Sequence, residues 1–452
     1  MILNGVFTEK ECEVLTFNLN FRNIKTNIIL FLKSCPDEHF PVTLKDPNGN
    51  IRILTTFKAK EKIFYSGKSF ECSSNCSLPG ELIDGIWKLE VTKPYAFKGM
   101  FVLEILKDVD MNNYSDFMDI SKFDYEKEFS KEKKWYKGEL HAHTKFSDGL
   151  LELKNLPKGI DELNLDFIFL TDHNVVSTKT PLASAPIIPS TELTLMENGH
   201  FNFLGLKNLP DYANFLKGKK VNPELLKTIF EWVKKQNALL VMNHPLNATM
   251  GVDYNLDLND FDLIEVLNSP YNNQKTQFNI DALKAFDGLL MNGHKIFAVG
   301  GSDSHSDFID RDSSFLGKPL NYVHMNGFTV NNLLQNLKIG KSYISTIGEV
   351  DFSFNEIDDK NKKKEIFFGE NSNDNLIECN VSAKEKISWK IIINGEIQFE
   401  IKSDKFNLEI NLPENGYFRI EGYINNDIAV ITNPIFFGVI PKTNKKWLDI
   451  RK

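Results

Sequence analysis

Phe167-Ile168-Phe169-Leu170-Thr171-Asp172-His173-Asn174 carries the pattern that decides how this chain is read. An apolar run of strand length gives way at once to a carboxylate, an imidazole and a carboxamide. Packing alone gives no reason to finish a buried strand on such groups. The pattern recurs along the chain. Trp135-Tyr136-Lys137-Gly138-Glu139-Leu140 leads into His141-Ala142-His143, and Ala238-Leu239-Leu240-Val241-Met242 leads into Asn243-His244-Pro245. Ile296-Phe297-Ala298-Val299 leads into Gly300-Gly301-Ser302-Asp303-Ser304-His305. In α/β barrels functional groups collect at the C-terminal ends of strands, and separate segments here end in His or Asp.

Between these segments, residues 223–236 read as an amphipathic helix, with Leu226, Ile229, Phe230 and Val233 on one face and Pro223 near its start. Residues 263–267 read as another strand and 278–291 as another helix. Strand alternating with helix implies a parallel sheet or barrel. Towards the N-terminus, short apolar stretches separated by turns such as Asp46-Pro47-Asn48-Gly49 predict a β-sandwich. Residues 107–136 are rich in Asp, Asn, Lys and Glu and read as a solvated connector. After about residue 350 an all-β texture returns, with a hairpin signal at Asn394-Gly395 between β-branched residues. The expected architecture is a β-sandwich-like domain over 1–106, a connector over 107–136, an α/β domain over 137–350 and a β domain over 351–452.

A chain of 452 residues is too long for one ordinary core, so several domains are expected. Its 42% apolar and 25% charged content is that of a soluble globular protein. The net charge of -8 gives no general attraction to duplex nucleic acid or an anionic membrane, so neither is an expected partner. Residues 1–9 lack a basic stretch followed by an apolar core, and no apolar run approaches the ~20 residues of a membrane span. Cys12, Cys35, Cys72, Cys76 and Cys379 are odd in number and dispersed, which points to reduced thiols and a cytoplasmic location. Cys72 and Cys76 lack the further ligands of a zinc cage and read as ordinary thiols.

Residues i and i+2 of a strand share a face, so His141 and His143 can meet one metal ion. Asp148 lies in the turn Ser147-Asp148-Gly149 and can add an oxygen. Glu192 follows Pro189-Ser190-Thr191 and can bridge two ions, while His200 opens another strand-like run. With His173, His244, Asp303 and His305, the candidate ligands suit two or three divalent ions. Imidazole and carboxylate without thiolate favour Mn, Fe or Zn over Ca. His39, His294 and His324 lack such company and are expected to be structural or at the surface. Arg311, the only arginine between Gly138 and Val350, offers a fork that matches phosphate, with Lys318 a further candidate. Asn243 and Asn268 are placed to orient ligands.

The ordered set His141-Ala142-His143-Thr144, Ser147-Asp148-Gly149, Thr171-Asp172-His173-Asn174, Glu192, His200, Asn243-His244-Pro245 and Gly301-Ser302-Asp303-Ser304-His305 resembles the polymerase and histidinol phosphatase (PHP) domain. It is similar in particular to the CehA/McbA-like metallohydrolase branch, whose members often carry flanking β-domains. The resemblance covers about residues 135–350. It implies a distorted (β/α)7 barrel and a metal-dependent hydrolase. One ion would be held by His141, His143, Glu192 and Asp303, and a second by Glu192, His200 and His244. A third would be held by Asp148, His173 and His305, with Asp148 standing where many PHP domains have a histidine. The flanking regions match only through Gly85-Ile86-Trp87 and Thr432-Asn433-Pro434-Ile435.

The expected function is cleavage of a small phosphoester by a metal-bound hydroxide, with His305 or His173, where free of metal, protonating the leaving oxygen. Carboxylic or carbamate ester hydrolysis on the same cluster is the alternative within hydrolases. A non-catalytic module that binds a glycan or a protein is the alternative from another class. A DNA-directed exonuclease is opposed by the acidic charge and the scarcity of arginine. The sequence leaves the substrate, the metal, the oligomeric state and the role of the β-domains open.

Overall fold

The computed structural model describes residues 1–109, 117–195, 199–269, 276–306 and 316–451. Within residues 1–107 there are two four-stranded antiparallel sheets. One runs Ile2–Phe7, Gly99–Lys107, Asn27–Ser34, Ile63–Gly67; the other runs Glu13–Phe21, Gly85–Lys93, Pro41–Lys45, Ile51–Thr56. Their side chains share one core. Strand Gly85–Lys93 shows how the sequence writes it: Trp87, Leu89 and Val91 are buried while Ile86 and Lys88 face outward, the period-two alternation of a sheet with one dry face. At the Asp46 turn, Oδ1 accepts from the backbone N–H of Asn48 and Asn50, and Gly49 takes the left-handed φ that the reversal requires.

In the central segment, strand Ser130–Glu139 pairs in parallel with Phe167–Leu170, which pairs in parallel with Ile187–Leu193. His200–Leu204 then runs antiparallel to both Ile187–Leu193 and Leu239–Asn243. Leu239–Asn243, Leu263–Asn268 and Phe297–Gly301 continue in parallel. Beyond Gly301 the chain returns to the first strand. Ala142 and Ser304 bridge in parallel, His143 N donates to Ser304 O, and Asp303 N donates to His141 O. The strands thus close on themselves at the end that carries the polar residues. Helices Leu156–Leu163, Pro223–Lys234 and Thr276–Met291 lie in three of the connections. Pro223–Lys234 starts where the Asn222 side chain accepts from Leu225 N, and it buries Leu226, Ile229, Phe230 and Val233, each worth roughly 1.5–3 kcal/mol.

Strict alternation of strand and helix does not hold. The link between Ile187–Leu193 and His200–Leu204 is too short for a parallel crossover, which takes a dozen or more residues, so the second strand turns back. The fold is mixed α/β with several sheets. The expected connector is also corrected: residues 130–139 form one strand, flanked by Phe167–Leu170 and by antiparallel Leu320–Phe328. Lys131, Glu132, Lys133 and Lys134 are exposed, so the charge there marks a wet strand end and not a missing strand. Further back, Phe117–Asp119 pairs with Lys179–Pro181.

The C-terminal β region is continuous with the centre. Leu320–Phe328 pairs with Ser342–Ser345, and that strand pairs in turn with Asp427–Thr432. The Asn433 carboxamide adds a second tie, accepting from Ala298 N and donating to the carbonyls of Ala298 and Ser342. Leu376–Ile393 and Glu396–Asn411 form a long hairpin around Asn394-Gly395, both left-handed in φ. The five cysteines are free thiols. Among the described residues, no helix is long and apolar enough to cross a membrane.

Candidate metal centre

Glu192 is fully buried on strand Ile187–Leu193 and lies at the middle of the polar cluster. Its Oε2 is 3.0 Å from His173 Nδ1 and 3.4 Å from Nε2 of both His141 and His143. Its Oε1 is 3.1 Å from His200 Nδ1 and 3.4 Å from His244 Nε2. Asp303 Oδ1 is 3.4 Å from His141 Nε2, 3.3 Å from His143 Nε2 and 3.7 Å from His305 Nδ1. Asp148 Oδ1 is 3.2 Å from His305 Nε2 and 3.6 Å from His173 Nε2. All nine ligand candidates read from the sequence, His200 included, therefore come together in overlapping groups. They do so because each sits at or beside a strand end on the same rim.

The spacing and the unsatisfied atoms both fit divalent ions. Two donors each ~2.1 Å from one ion, at tetrahedral or octahedral angles, lie ~3.0–3.4 Å apart. Among the described residues, His141 Nε2, His143 Nε2, Glu192 Oε2 and Asp148 Oδ1 are buried without a hydrogen-bond partner. Leaving such an atom unsatisfied costs about 1–3 kcal/mol, and a shared cation between them removes that cost.

Behind the donors stand residues that hold them. Glu265 Oε1 lies 3.0 Å from His141 Nδ1, while its Oε2 accepts from His244 N and from Asn268 Nδ2. An acidic partner on the far nitrogen fixes which nitrogen of His141 faces the cluster. Asn243 Nδ2 donates to Glu192 Oε1 at 2.8 Å. Asp172 accepts from Thr144 N, Thr144 Oγ1 and Ser147 Oγ and so folds the loop that carries Asp148. Glu139 accepts from the backbone of His141, Ser302 and Gly317, which joins both ligand-bearing ends. Gly301 is required by close approach: a Cβ there would lie 2.3 Å from Glu265 Oε1 and 2.4 Å from His141 Cβ. Asp303 and His244 take left-handed φ values of 50° and 26°, a strain of about 1–3 kcal/mol each that the surrounding hydrogen bonds support.

The cluster's own charges set its protonation. Burial raises the Glu192 carboxyl, but His173, His141 and His200 outweigh it and hold the group well below the usual carboxylate range. Burial lowers His141, yet Glu265, Glu192 and Asp303 lift it well above an ordinary imidazole. His143 falls to about 4 through burial and the neighbouring His305 and His173. Burial also lowers His305, but Asp148 and Asp303 raise it to about 9.

Sequence reasoning missed several residues here. Glu265 stood in a run read simply as a strand; a carboxylate within Leu263–Asn268 was the available signal. His39 was expected to be structural or at the surface, and that is corrected. Its Nε2 is 3.5 Å from Asp148 Oδ2, and its ring lies 4.0 Å from that of His173. Lys58 Nζ is also 3.5 Å from Asp148 Oδ2. Both come from the N-terminal sheets, and nothing local in their sequence marks them. His324 stacks on Phe367, and His294 is buried. Lys318 is exposed, and Arg311 lies outside the described residues.

No known protein-family model matches the chain, and no curated protein does. Among solved structures it is similar to a two-domain protein from Bacteroides vulgatus containing a predicted PHP-like metal-dependent phosphoesterase. The identity is 18% and the TM-score 0.36, over 67% of this chain and 96% of that one. An amidohydrolase from Chromobacterium violaceum aligns at 15% identity and TM-score 0.23, over 37% of this chain and 87% of that one. A Bacteroides uniformis β-glucuronidase aligns at 11% identity and TM-score 0.18, over 97% and 61%. Likenesses this distant say nothing of what the chain does.

Proposed function

We propose that this chain is a divalent-metal-dependent hydrolase that cleaves a small phosphoester at the rim of a distorted (β/α)7 barrel of the PHP type. The CehA/McbA-like branch, whose members often carry flanking β-domains, is the branch to which the motifs would assign it. The observation that carries this reading is the convergence of imidazoles and carboxylates on Glu192 and Asp303, at ion-sharing distances and with buried atoms left unsatisfied. His141, His143, Glu192 and Asp303 would hold one ion; Glu192, His200 and His244 a second; Asp148, His173 and His305 a third.

Divalent ions held there would supply an acidified water and charge neutralisation at the attacked ester. The chain's own groups do the rest. Glu265 keeps His141 turned towards the cluster, and Asn243 fixes the carboxylate plane of Glu192. His305, beside Asp148, and His173 are the groups that, where free of metal, would donate a proton to the leaving oxygen. With three ions loaded both are ligands. Arg311, which lies outside the described residues, remains the sequence's candidate for the phosphoryl group: if it binds there, Arg311→Ala raises KM for a phosphorylated substrate, and an unchanged KM removes it from the site.

The test is hydrolysis by Mn-reconstituted protein of a chromogenic phosphomonoester, a phosphodiester, a carboxylic ester and an aryl carbamate side by side. Chelator-sensitive turnover of a phosphoester supports the proposal. Turnover of the carbonyl esters alone overturns the substrate class and keeps the metal chemistry.

A further inference from the structure

The N-terminal sheets reach the rim through two loops, and each loop grips a different ligand-bearing loop of the central segment. Residues 57–62 bring Lys60 N to the carbonyls of both Lys145 and Ser147, and Glu61 N to Lys145 O. The Lys145 ammonium pairs with Glu61. These contacts pin the turn that presents Asp148. On the other side, His39 O accepts from Asn174 Nδ2 at 2.8 Å, which pins the residue following His173. Asn174 itself takes a left-handed φ of 60° and binds Thr194 through both ends of its carboxamide.

Asp148 is divided between the two halves. Its Oδ1 faces His305 and His173, whereas its Oδ2 faces His39 Nε2 and Lys58 Nζ. At the other end of the cluster, Glu265 and Glu139 hold His141, and Asn243 holds Glu192, from within the central strands.

We propose that His39 and Lys58 are positioning residues that hold Asp148 with Oδ1 turned to His173 and His305, so that the N-terminal domain sets the affinity of this one ion position and leaves the Glu192 positions to the central strands. The proposal rests on the metal-dependent reading above. It assigns the β-domain a part in the site itself.

The test uses the full chain, stripped with chelator and reloaded with Mn2+. Bound ions are counted by elemental analysis after desalting, and affinities are measured by titration calorimetry. His39→Ala and Lys58→Met are each expected to weaken the weakest-bound Mn2+ by about 10–100-fold while the remaining Mn2+ stays bound. The double variant loses one ion per chain, as Asp148→Ala does, whereas Lys58→Arg alone, which keeps the cation, leaves the ion bound. His39→Gln, which keeps a polar side chain in the loop, gives the same weakening in a chain whose melting temperature is unchanged. Wild-type ion count and affinity in the folded double variant overturn the proposal. A wild-type chain that takes up no Mn2+ overturns the metal-dependent reading instead.

Discussion

A single carboxylate, Glu192, is approached by five imidazoles, and its pull on them depends on how they are held from behind. Glu265→Gln keeps the shape but removes the charge behind His141. It is expected to weaken Mn2+ binding by about 10–100-fold, read by calorimetry, and full affinity would remove Glu265 from that role. Gly301→Ala places a methyl against Glu265 and His141. It should cost about 1–3 kcal/mol in urea denaturation and lower the bound-ion count; wild-type values for both would show that the rim can yield. At this scale the sequence was readable wherever a polar group interrupted an apolar run near its end, as at His173, His244 and Asp303. Glu265 and Gly301 meet His141 only across the closed strands, from more than a hundred residues away, so no local pattern announced them.

At the scale of elements, strand period and helix period located the central strands and the helices Pro223–Lys234 and Thr276–Met291. Direction was harder to read, because His200–Leu204 has the composition of its parallel neighbours and only the short link before it reveals the reversal. The charged start of Ser130–Glu139 hid a strand for a similar reason: exposed faces carry no hydrophobic signal. The small pair Lys179–Pro181 and Phe117–Asp119 buries Lys179, whose ammonium lies 4.2 Å from the Phe70 ring centroid. Burial, opposed by Glu71 and Asp119, lowers this lysine to about 8. Between about pH 8 and the usual lysine value the unfolded chain binds the proton more tightly than the folded one, so this group adds stability as pH rises through that window. Urea midpoints from pH 7.5 to 10 should therefore climb in the wild type relative to Lys179→Met. Parallel profiles for the two proteins would end that account.

Across the whole molecule, the C-terminal β region is tied to the centre by a shared sheet, by Asn433 and by a buried cation. Arg419, on strand Gly416–Ile424, donates from Nε and Nη2 to Asp287 of helix Thr276–Met291, and its Nη1 lies 2.6 Å from Glu421. Arg419→Met leaves both carboxylates uncompensated and is expected to cost about 3–5 kcal/mol by urea denaturation, with Asp287→Asn recovering part of it. A loss under 1 kcal/mol would mean that the shared sheet and the Asn433 tie hold the two regions together without Arg419. The division into β-rich, α/β and β-rich stretches was visible in composition and turn spacing. The seams between them were not, because they are made by single residues such as Asn433, His39 and Lys58 that reach across.

The closure of the strands through Ala142 and Ser304 also has a consequence in time. A ribosome completes the sheets of residues 1–107 long before it has made His305, and at ~5–20 residues per second the interval is on the order of tens of seconds. His39 and Lys58 are thus made well before Asp303 and His305, the last members of the cluster they adjoin. Until residue 305 is made the ring stays open, and the early imidazoles, His141 and His143, stand without their last carboxylate.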